Sequence, residues 1–148
     1  MQVQFRALLK GELSTINYTK VDNNFSNHHA GFVNLIGNPN VGKSTLMNQL
    51  VGEQLSITTA KAQTTRHRIK GIVDGENFQI IYSDLPGILT PAYKMQEMMM
   101  RFVTGSLKDA DVILYLVECG ETKYNEEIIA KLQQIETPII LVLNKIDK

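Results

Sequence analysis

The strongest constraint on how this chain folds is the segment 37–44, which reads Gly-Asn-Pro-Asn-Val-Gly-Lys-Ser. It follows the apolar run 32–36 and overlaps the start of the helix-like segment 44–51. Glycines let backbone N–H groups curve around an anion, and a helix that begins there directs its positive end at the same point. A strand, a glycine-rich turn and a helix in this order predict a phosphate-binding loop. A strand-to-helix turn that binds no ligand is the competing interpretation.

Every residue of this loop is a candidate for nucleotide binding. In such a loop the lysine, Lys43, reaches the β- and γ-phosphates, and the hydroxyl of Ser44 ligates Mg²⁺. Backbone N–H groups of the loop and of the first helical turn supply further contacts. We therefore expect the following residues to contact the nucleotide: Gly37, Asn38, Pro39, Asn40, Val41, Gly42, Lys43, Ser44 and Thr45.

A second motif, Asn144-Lys145-Ile146-Asp147, follows the apolar run 139–143. The carboxylate of Asp147 is placed to accept hydrogen bonds from the N1–H and the exocyclic amine of guanine. Adenine lacks the N1 proton and would leave that carboxylate unpaired, which is costly. Asn144 is expected to brace the loops, and the stem of Lys145 to cover the base. Taken alone this motif also fits an ordinary strand-end turn. Its position after an apolar strand, at a GTPase-like distance from the phosphate loop, favours a guanine-binding motif, and so GTP rather than ATP is the expected nucleotide.

A third motif, Asp84-Leu85-Pro86-Gly87, follows the strand-like run 78–82. Asp84 is expected to hold Mg²⁺ through water, and the Gly87 N–H to contact the γ-phosphate. Leu85 and Pro86 lie between them and join the candidate nucleotide contacts. Loss of the γ-phosphate would release such a loop, which is how this kind of site acts as a switch.

With these three motifs the chain resembles the Era-type family of bacterial ribosome-assembly GTPases, over roughly residues 30–148. The run 61–69, Lys-Ala-Gln-Thr-Thr-Arg-His-Arg-Ile, with Gly71 and Ile72 after it, looks like that family's first switch. The resemblance implies that Thr65, or as a second choice Thr64, closes over Mg²⁺ and the γ-phosphate. It also implies that Asn40 helps to bind a K⁺ ion beside the phosphates.

The resemblance further implies a cytoplasmic protein whose partners, in full-length relatives, are the 16S rRNA and the small ribosomal subunit. The resemblance also makes peripheral membrane association a candidate property of the full-length protein, whereas DNA is not an expected partner. The catalytic candidates are Lys43, Thr65 and Gly87. Leu85 stands where relatives usually carry threonine, and Ile88 stands where Ras-type enzymes carry the glutamine that orients water. Hydrolysis is therefore expected to be slow and to rest on positioning and charge stabilisation, with no general base.

Composition fits one globular domain without a broad charged surface. The 148 residues carry 15 basic and 15 acidic side chains, so the net charge gives no general attraction to nucleic acid or membrane. A basic stripe is interpreted as a solvated strand face, with RNA contact as the alternative; its members are Lys61, Arg66, His67, Arg68 and Lys70.

Residues 1–29 are polar and are expected to form a disordered leader. The sequence ends at Lys148, one residue after Asp147, so residues 30–148 are expected to be an incomplete GTPase domain without the family's KH RNA-binding domain.

Alternating strand and helix signals predict an α/β fold of the P-loop NTPase type, with helices on both faces of a mostly parallel sheet. Strands are predicted at 31–36, 67–74, 77–83, 111–118 and 138–143, and helices at 43–52, 93–105 and 123–136. The turn signal at 74–77 predicts one antiparallel hairpin. Met95, Met98, Met99 and Phe102 recur at helical spacing and are predicted to pack in the core.

Three alternatives to an Era-type switch stay open at this stage. One is a sister family, either the tandem-domain ribosomal GTPases or the tRNA-modification GTPase, although the run 61–69 favours the Era type. Another is a nucleotide-binding module that does not turn GTP over. The last is an incomplete fragment without function.

Overall fold

Strands and helices alternate along the chain, as the sequence predicts. The structure is a computed structural model that describes residues 28–58 and 65–147. In these residues the elements are, in order, β1 (His29–Gly37), α1 (Lys43–Val51), β2 (Ile69–Asp74), β3 (Phe78–Asp84), α2 (Lys94–Ser106), β4 (Val112–Glu118), α3 (Glu126–Gln134) and β5 (Ile139–Asn144). The predicted leader, except for its last two residues, lies outside the described residues, as do Lys61 and Thr64.

The strands form one sheet in the order β2-β3-β1-β4-β5. β1 pairs in parallel with both β3 and β4, and β4 pairs in parallel with β5. β2 and β3 run antiparallel, and the Gly75 N–H closes their turn by donating to Phe78 O at 2.8 Å. The predicted fold class is therefore confirmed, including its single antiparallel hairpin within the described residues.

Helices cover both faces of the sheet because successive residues of the central strands point to opposite sides. Leu35 packs with the α1 side chains Leu46 and Met47, all 5% exposed or less. Its neighbour Ile36 joins the opposite cluster, which α2 and α3 supply. Residues of that second cluster include Val103, Leu107, Ile128 and Leu132. Parallel neighbours need crossover connections of this kind, and the helices provide them.

The prediction that the Met95, Met98, Met99 and Phe102 face packs in the core is wrong for three of these residues. Met99 is buried, whereas Met95, Met98 and Phe102 are 40%, 58% and 47% exposed. The buried face of α2 consists instead of Gln96, Met99, Val103 and Ser106. The helix is thus rotated from the predicted orientation, because apolar residues occur on more than one side of it and the sheet selects only one side.

Element boundaries differ from the predictions by a few residues. α3 begins at Glu126 rather than at 123, because the Asn125 side chain accepts the Ile128 N–H at 3.0 Å and caps the first turn. β2 begins at Ile69 rather than at 67. Among the described residues, no helix combines the length and apolar character that crossing a membrane requires.

A polar side chain lies inside the sheet at Asn34, which is 0% exposed. Its amide donates to Ser106 O at 2.6 Å and so ties β1 to the end of α2. Its carbonyl accepts the Arg68 guanidinium at 3.2 Å. Both ends of this amide are therefore satisfied, as a buried polar group requires.

We expect Asn34→Ala to lower the free energy of unfolding by about 2 kcal/mol, because the Ser106 carbonyl and the Arg68 guanidinium both lose a buried partner. Chemical denaturation of the nucleotide-free chain measures this. The exposed Asn77→Ala is the matched control and should change stability by less than about 0.5 kcal/mol. Equal effects of the two substitutions would contradict a structural role for the buried amide.

Candidate functional site

Most of the predicted site residues lie at or just after the carboxyl ends of three parallel strands of the sheet. β1 ends at Gly37, β3 at Asp84 and β5 at Asn144. Parallel strands bring their carboxyl ends to one edge of a sheet. At β1 the chain departs toward α1 on one face, while β3 leads to α2 on the other. Open α/β sheets bind ligands in the crevice that forms where connections diverge in this way.

The loop after β1 wraps around the ammonium group of Lys43. Lys43 Nζ donates to Gly37 O at 3.0 Å and to Asn38 O at 2.8 Å. The loop turns through Asn40 and Gly42, both with positive φ, and α1 begins at the next residue. Gly42 has no side chain to cap this helix, so first-turn N–H groups point toward the loop. This arrangement suits an anion at the helix N-terminus.

Lys43 is only 6% exposed, although it carries a charge. Burial lowers the pKa of Lys43 from 10.5 to about 8, while the carboxylates of Asp84 and Glu121 act in the opposite direction. Desolvation therefore outweighs the attraction of two nearby acids. An anionic ligand at the loop would compensate this buried cation and restore its ordinary basicity.

Three oxygen-bearing side chains meet beside this lysine. Ser44 Oγ donates to Asp84 Oδ2 at 2.6 Å, and Thr65 Oγ1 donates to the same atom at 3.2 Å. The two hydroxyl oxygens lie 3.2 Å apart. These are the residues that the sequence nominated as metal ligands, although they are separated by 21 and 40 positions from Ser44.

The other carboxylate oxygen of Asp84 is buried and has no hydrogen-bond partner among the described residues. A buried carboxylate oxygen without a partner is costly, and native structures compensate it with water or an ion. Two hydroxyls and a carboxylate form an oxygen donor set, which Mg²⁺ prefers. Ser44, Thr65 and Asp84 therefore fit a magnesium ion.

The loop after β3 packs directly on the phosphate loop. A Cβ atom on Gly87 would lie 2.8 Å from the backbone of Pro39, so only glycine fits there. Ile88 N–H donates to Gly37 O at 3.0 Å, and its side chain is 2% exposed within the core. Ile88 is therefore turned away from the site. Leu85 and Pro86 are also buried.

The loop after β5 joins the phosphate loop through Asn144. Its side-chain amide donates to Val41 O at 2.8 Å. A Cβ atom on Gly42 would lie 2.3 Å from this amide nitrogen, so the close approach needs glycine. Lys145 has a positive φ and donates from Nζ to Glu118 Oε2 at 2.6 Å. Asp147 is exposed in the turn beyond it.

The predicted nucleotide contacts of Asn38, Asn40 and Thr45 stay predictions. Asn38 turns its side chain away from the phosphate loop and donates to Glu121 Oε1 at 2.6 Å and to Lys123 O at 2.8 Å. Asn40 and Thr45 are exposed. Thr64 lies outside the described residues.

Sequence reasoning missed two acidic residues at the carboxyl end of β4, Glu118 as its last residue and Glu121 in the turn beyond. Glu118 holds Lys145, and Glu121 holds Asn38. β4 is parallel to β1 and β5, so its carboxyl end reaches the same edge of the sheet. Carboxylates at the end of a parallel strand were the signal that would have found them.

A family model described as 50S ribosome-binding GTPase matches residues 32–145. The GTPase Era of Alkaliphilus metalliredigens (strain QYMF) is 46% identical over 123 residues, which make up 82% of this chain and 42% of that relative. A solved structure of Era with MgGDPNP and nucleotides 1506–1542 of 16S ribosomal RNA has a TM-score of 0.75 and 39% identity, over 82% of this chain and 42% of that one. NFeoB from S. thermophilus bound to GDP·AlF4⁻ and K⁺ has a TM-score of 0.62 and 28% identity, over 79% and 45%. This chain thus spans less than half of each of these relatives.

The lowered pKa of Lys43 makes stability depend on pH in a defined window. The unfolded chain keeps the Lys43 proton up to its ordinary pKa of 10.5, whereas the folded chain releases it near 8. The unfolded state therefore binds more protons between these values, and stability rises with pH there. We expect the stability of the nucleotide-free chain relative to Lys43→Met to increase by about 2 kcal/mol between roughly pH 7 and 9.5.

Denaturation of both proteins in EDTA, at a series of pH values, measures this difference. Lys108→Met removes an exposed lysine and serves as the control, with a difference that stays flat over the same range. A flat difference for Lys43→Met as well would show that the ammonium is not desolvated.

Proposed function

This chain belongs to the 50S ribosome-binding GTPase family, and on that premise we propose that it binds GTP with Mg²⁺ and slowly hydrolyses it to GDP and phosphate. The observation that carries the proposal is the meeting of Ser44, Thr65 and Asp84 beside the buried Lys43. Ser44 and Thr65 both donate to one carboxylate oxygen of Asp84, while its other oxygen lacks a partner among the described residues.

The phosphates would be held by the loop between β1 and α1. Lys43 would exchange its two carbonyl partners for β- and γ-phosphate oxygens, and the N–H groups around Gly42 would face the same anion. Gly87 packs on Pro39 and would present its N–H at the γ-phosphate end. The N–H groups around Gly42 and Gly87 are held by the backbone of their loops, so they would stabilise developing charge with little rearrangement.

Ser44, Thr65 and Asp84 would hold the magnesium ion. When bound, Mg²⁺ would offset negative charge on the β- and γ-phosphates. Asp84 would contribute its carboxylate. Ser44 and Thr65, whose hydroxyl oxygens are neighbours, would contribute oxygen lone pairs to the metal. With Ile88 buried in the core, no side chain at that position orients the attacking water. Hydrolysis would therefore rest on positioning and be slow.

The base would lie over the loop after β5. Asp147 is exposed and free to face a ligand from solvent, and its carboxylate would accept the N1–H and the amine of guanine. Asn144 hydrogen-bonds this loop to the phosphate loop, so the residues that bind the base and those that bind the phosphates would be directly connected. Glu118 fixes the Lys145 ammonium, leaving the aliphatic stem to cover the base.

Similarity to Era extends the proposal to the partner. The Era structure contains a 16S rRNA segment, and 16S rRNA belongs to the small ribosomal subunit. We propose that residues 30–148 are the GTPase domain of a cytoplasmic protein that acts on this RNA and this subunit. The K⁺ in the NFeoB structure supports a K⁺ ion beside the phosphates, and we propose that Asn40, an exposed residue of the phosphate loop, helps to bind it.

Guanine selectivity is tested with Asp147→Asn. We expect the preference for fluorescent GDP over ADP to fall by at least about 100-fold, because an NH2 donor replaces one of the two acceptor oxygens and meets a donor of guanine. The same variant should bind xanthosine diphosphate more tightly than GDP, because an amide N–H can donate to the xanthine C2 carbonyl. Glu136→Gln removes one exposed acidic charge elsewhere and should leave all three affinities unchanged. An unchanged ratio of GDP to ADP affinity in Asp147→Asn would refute the base pocket.

The magnesium site is tested with Asp84→Asn, which keeps the shape of the side chain. In Mg²⁺ we expect its affinity for a non-hydrolysable GTP analogue to fall at least about tenfold, while GDP affinity in EDTA stays near the wild-type value. Phosphate release from GTP should be measurable in the wild-type chain and lost in the variant. Tight binding without phosphate release in the wild type would favour a nucleotide-binding module that does not turn over.

A further inference from the structure

The sequence is interpreted as placing Arg68 on a solvated basic strand face. The structure shows that Arg68 does not lie on such a face. Its side chain is 21% exposed and its guanidinium contacts three different parts of the fold. Nε donates to Ser83 Oγ at 3.0 Å, and Nη2 donates to Asn34 Oδ1 at 3.2 Å. Nη1 lies 3.6 Å from Asp109 Oδ2, in the turn after α2. Arg66, His67 and Lys70 are exposed, so Arg68 differs from its described neighbours in the stripe.

The partners of Arg68 are fixed parts of the core. Asn34 and Ser83 are both 0% exposed, in the adjacent strands β1 and β3. Asn34 is held from its other end by Ser106 O at 2.6 Å. Arginine presents its donors in a rigid planar fork, so several simultaneous contacts fix its orientation as well as its position. The proposed function assigns no task to this network.

The segment that Arg68 anchors carries Thr65. Residues 65–68 have no helix or strand structure, and the β2 ladder starts only at Ile69, opposite Asp84. Thr65 is nevertheless 8% exposed, with its hydroxyl 3.2 Å from Asp84 Oδ2. Ser83, which receives Arg68, is the residue next to Asp84. Arg68 and Thr65 are therefore both seated on the end of β3, three residues apart on an otherwise irregular stretch.

We propose that Arg68 is a positioning residue that holds the Thr65 hydroxyl beside Ser44 and Asp84. This inference rests on the proposed function, in which Thr65 joins the magnesium site when a triphosphate is bound. Arg68 contacts neither nucleotide nor metal in this scheme. It acts only through Thr65, by fixing the backbone that carries it, and so it should affect the triphosphate state more than the diphosphate state.

The test compares Arg68→Met with wild type, using fluorescent GDP and a non-hydrolysable fluorescent GTP analogue in Mg²⁺. We expect affinity for the GTP analogue to fall about tenfold, the equivalent of one lost charged hydrogen bond, and GDP affinity to change less than about twofold. Thr65→Val should produce a similar loss, and the double variant should be no worse than Thr65→Val alone. Equal losses for both nucleotides, or additive losses in the double variant, would overturn the proposal.

Arg101→Met is the matched control, because it removes one positive charge from the exposed surface of α2. Both affinities should stay at wild-type values in this control. If Arg68→Met fails to fold, Arg68→Lys keeps the charge but replaces the fork by a single ammonium. It should then show a smaller loss of the same kind, confined to the GTP analogue, and a loss shared equally with GDP would overturn the proposal.

Amide hydrogen exchange on the nucleotide-free chain separates this inference from the proposed function. In Arg68→Met, exchange should be at least about tenfold faster in peptides covering residues 65–69 and unchanged in those covering α1. Unchanged exchange at 65–69 would overturn the positioning role. A wild-type chain without guanine-selective binding would refute the proposed function instead, and the exchange experiment would still decide whether Arg68 holds Thr65.

Discussion

The carboxylate of Asp84 is the point on which the arrangement of the site depends. It is 0% exposed at the end of β3, where Leu35 of β1 lies on one side and Ile69 of β2 on the other. One oxygen receives the hydroxyls of Ser44 and Thr65, so the segments that carry them are drawn together at a single atom. The second oxygen has no partner within the described residues, which leaves this carboxylate incompletely compensated.

Lys43 is buried close to this carboxylate, and its charge is also incompletely compensated. Burial lowers its pKa to about 8, even though Asp84 and Glu121 both favour its charged form. A buried cation and a partly compensated carboxylate are poor choices for stability. Both charged groups would gain their missing partners from a charged ligand and its metal ion. The phosphate loop is held in shape meanwhile by hydrogen bonds from Lys43 and Asn144 to its carbonyl groups.

The sheet connects this edge to the rest of the molecule. β1 lies at its centre and contributes Leu35 to one core and Ile36 to the other, so both helical layers depend on the same strand. Asn34, between Val33 and Leu35, adds a polar link from β1 to the end of α2 and to Arg68. The segment before β2 is thereby attached to the same strand that carries the phosphate loop.

Sequence alone identified the α/β fold, the order of the elements, and Ser44 and Asp84 as members of one site. These features depend on local signals: apolar periodicity, turn residues, and a lysine and serine at fixed spacing from glycines. Such signals act over a few residues, and the printed sequence contains them fully. The family resemblance added Thr65, which without the flanking motifs would be interpreted as an ordinary strand-entry residue.

Only the tertiary structure decided which side of α2 is buried, and what Arg68, Glu118 and Glu121 do. Met95, Met98 and Phe102 have helical spacing yet stay exposed, because the sheet accepts one face of the helix and Met99 lies on it. Arg68 is part of a basic run in the sequence, but it finds Asn34 and Ser83 only when β1, β2 and β3 are side by side. These partners are separated from Arg68 by 34 and 15 positions, and no local pattern records a contact that depends on the pairing of strands.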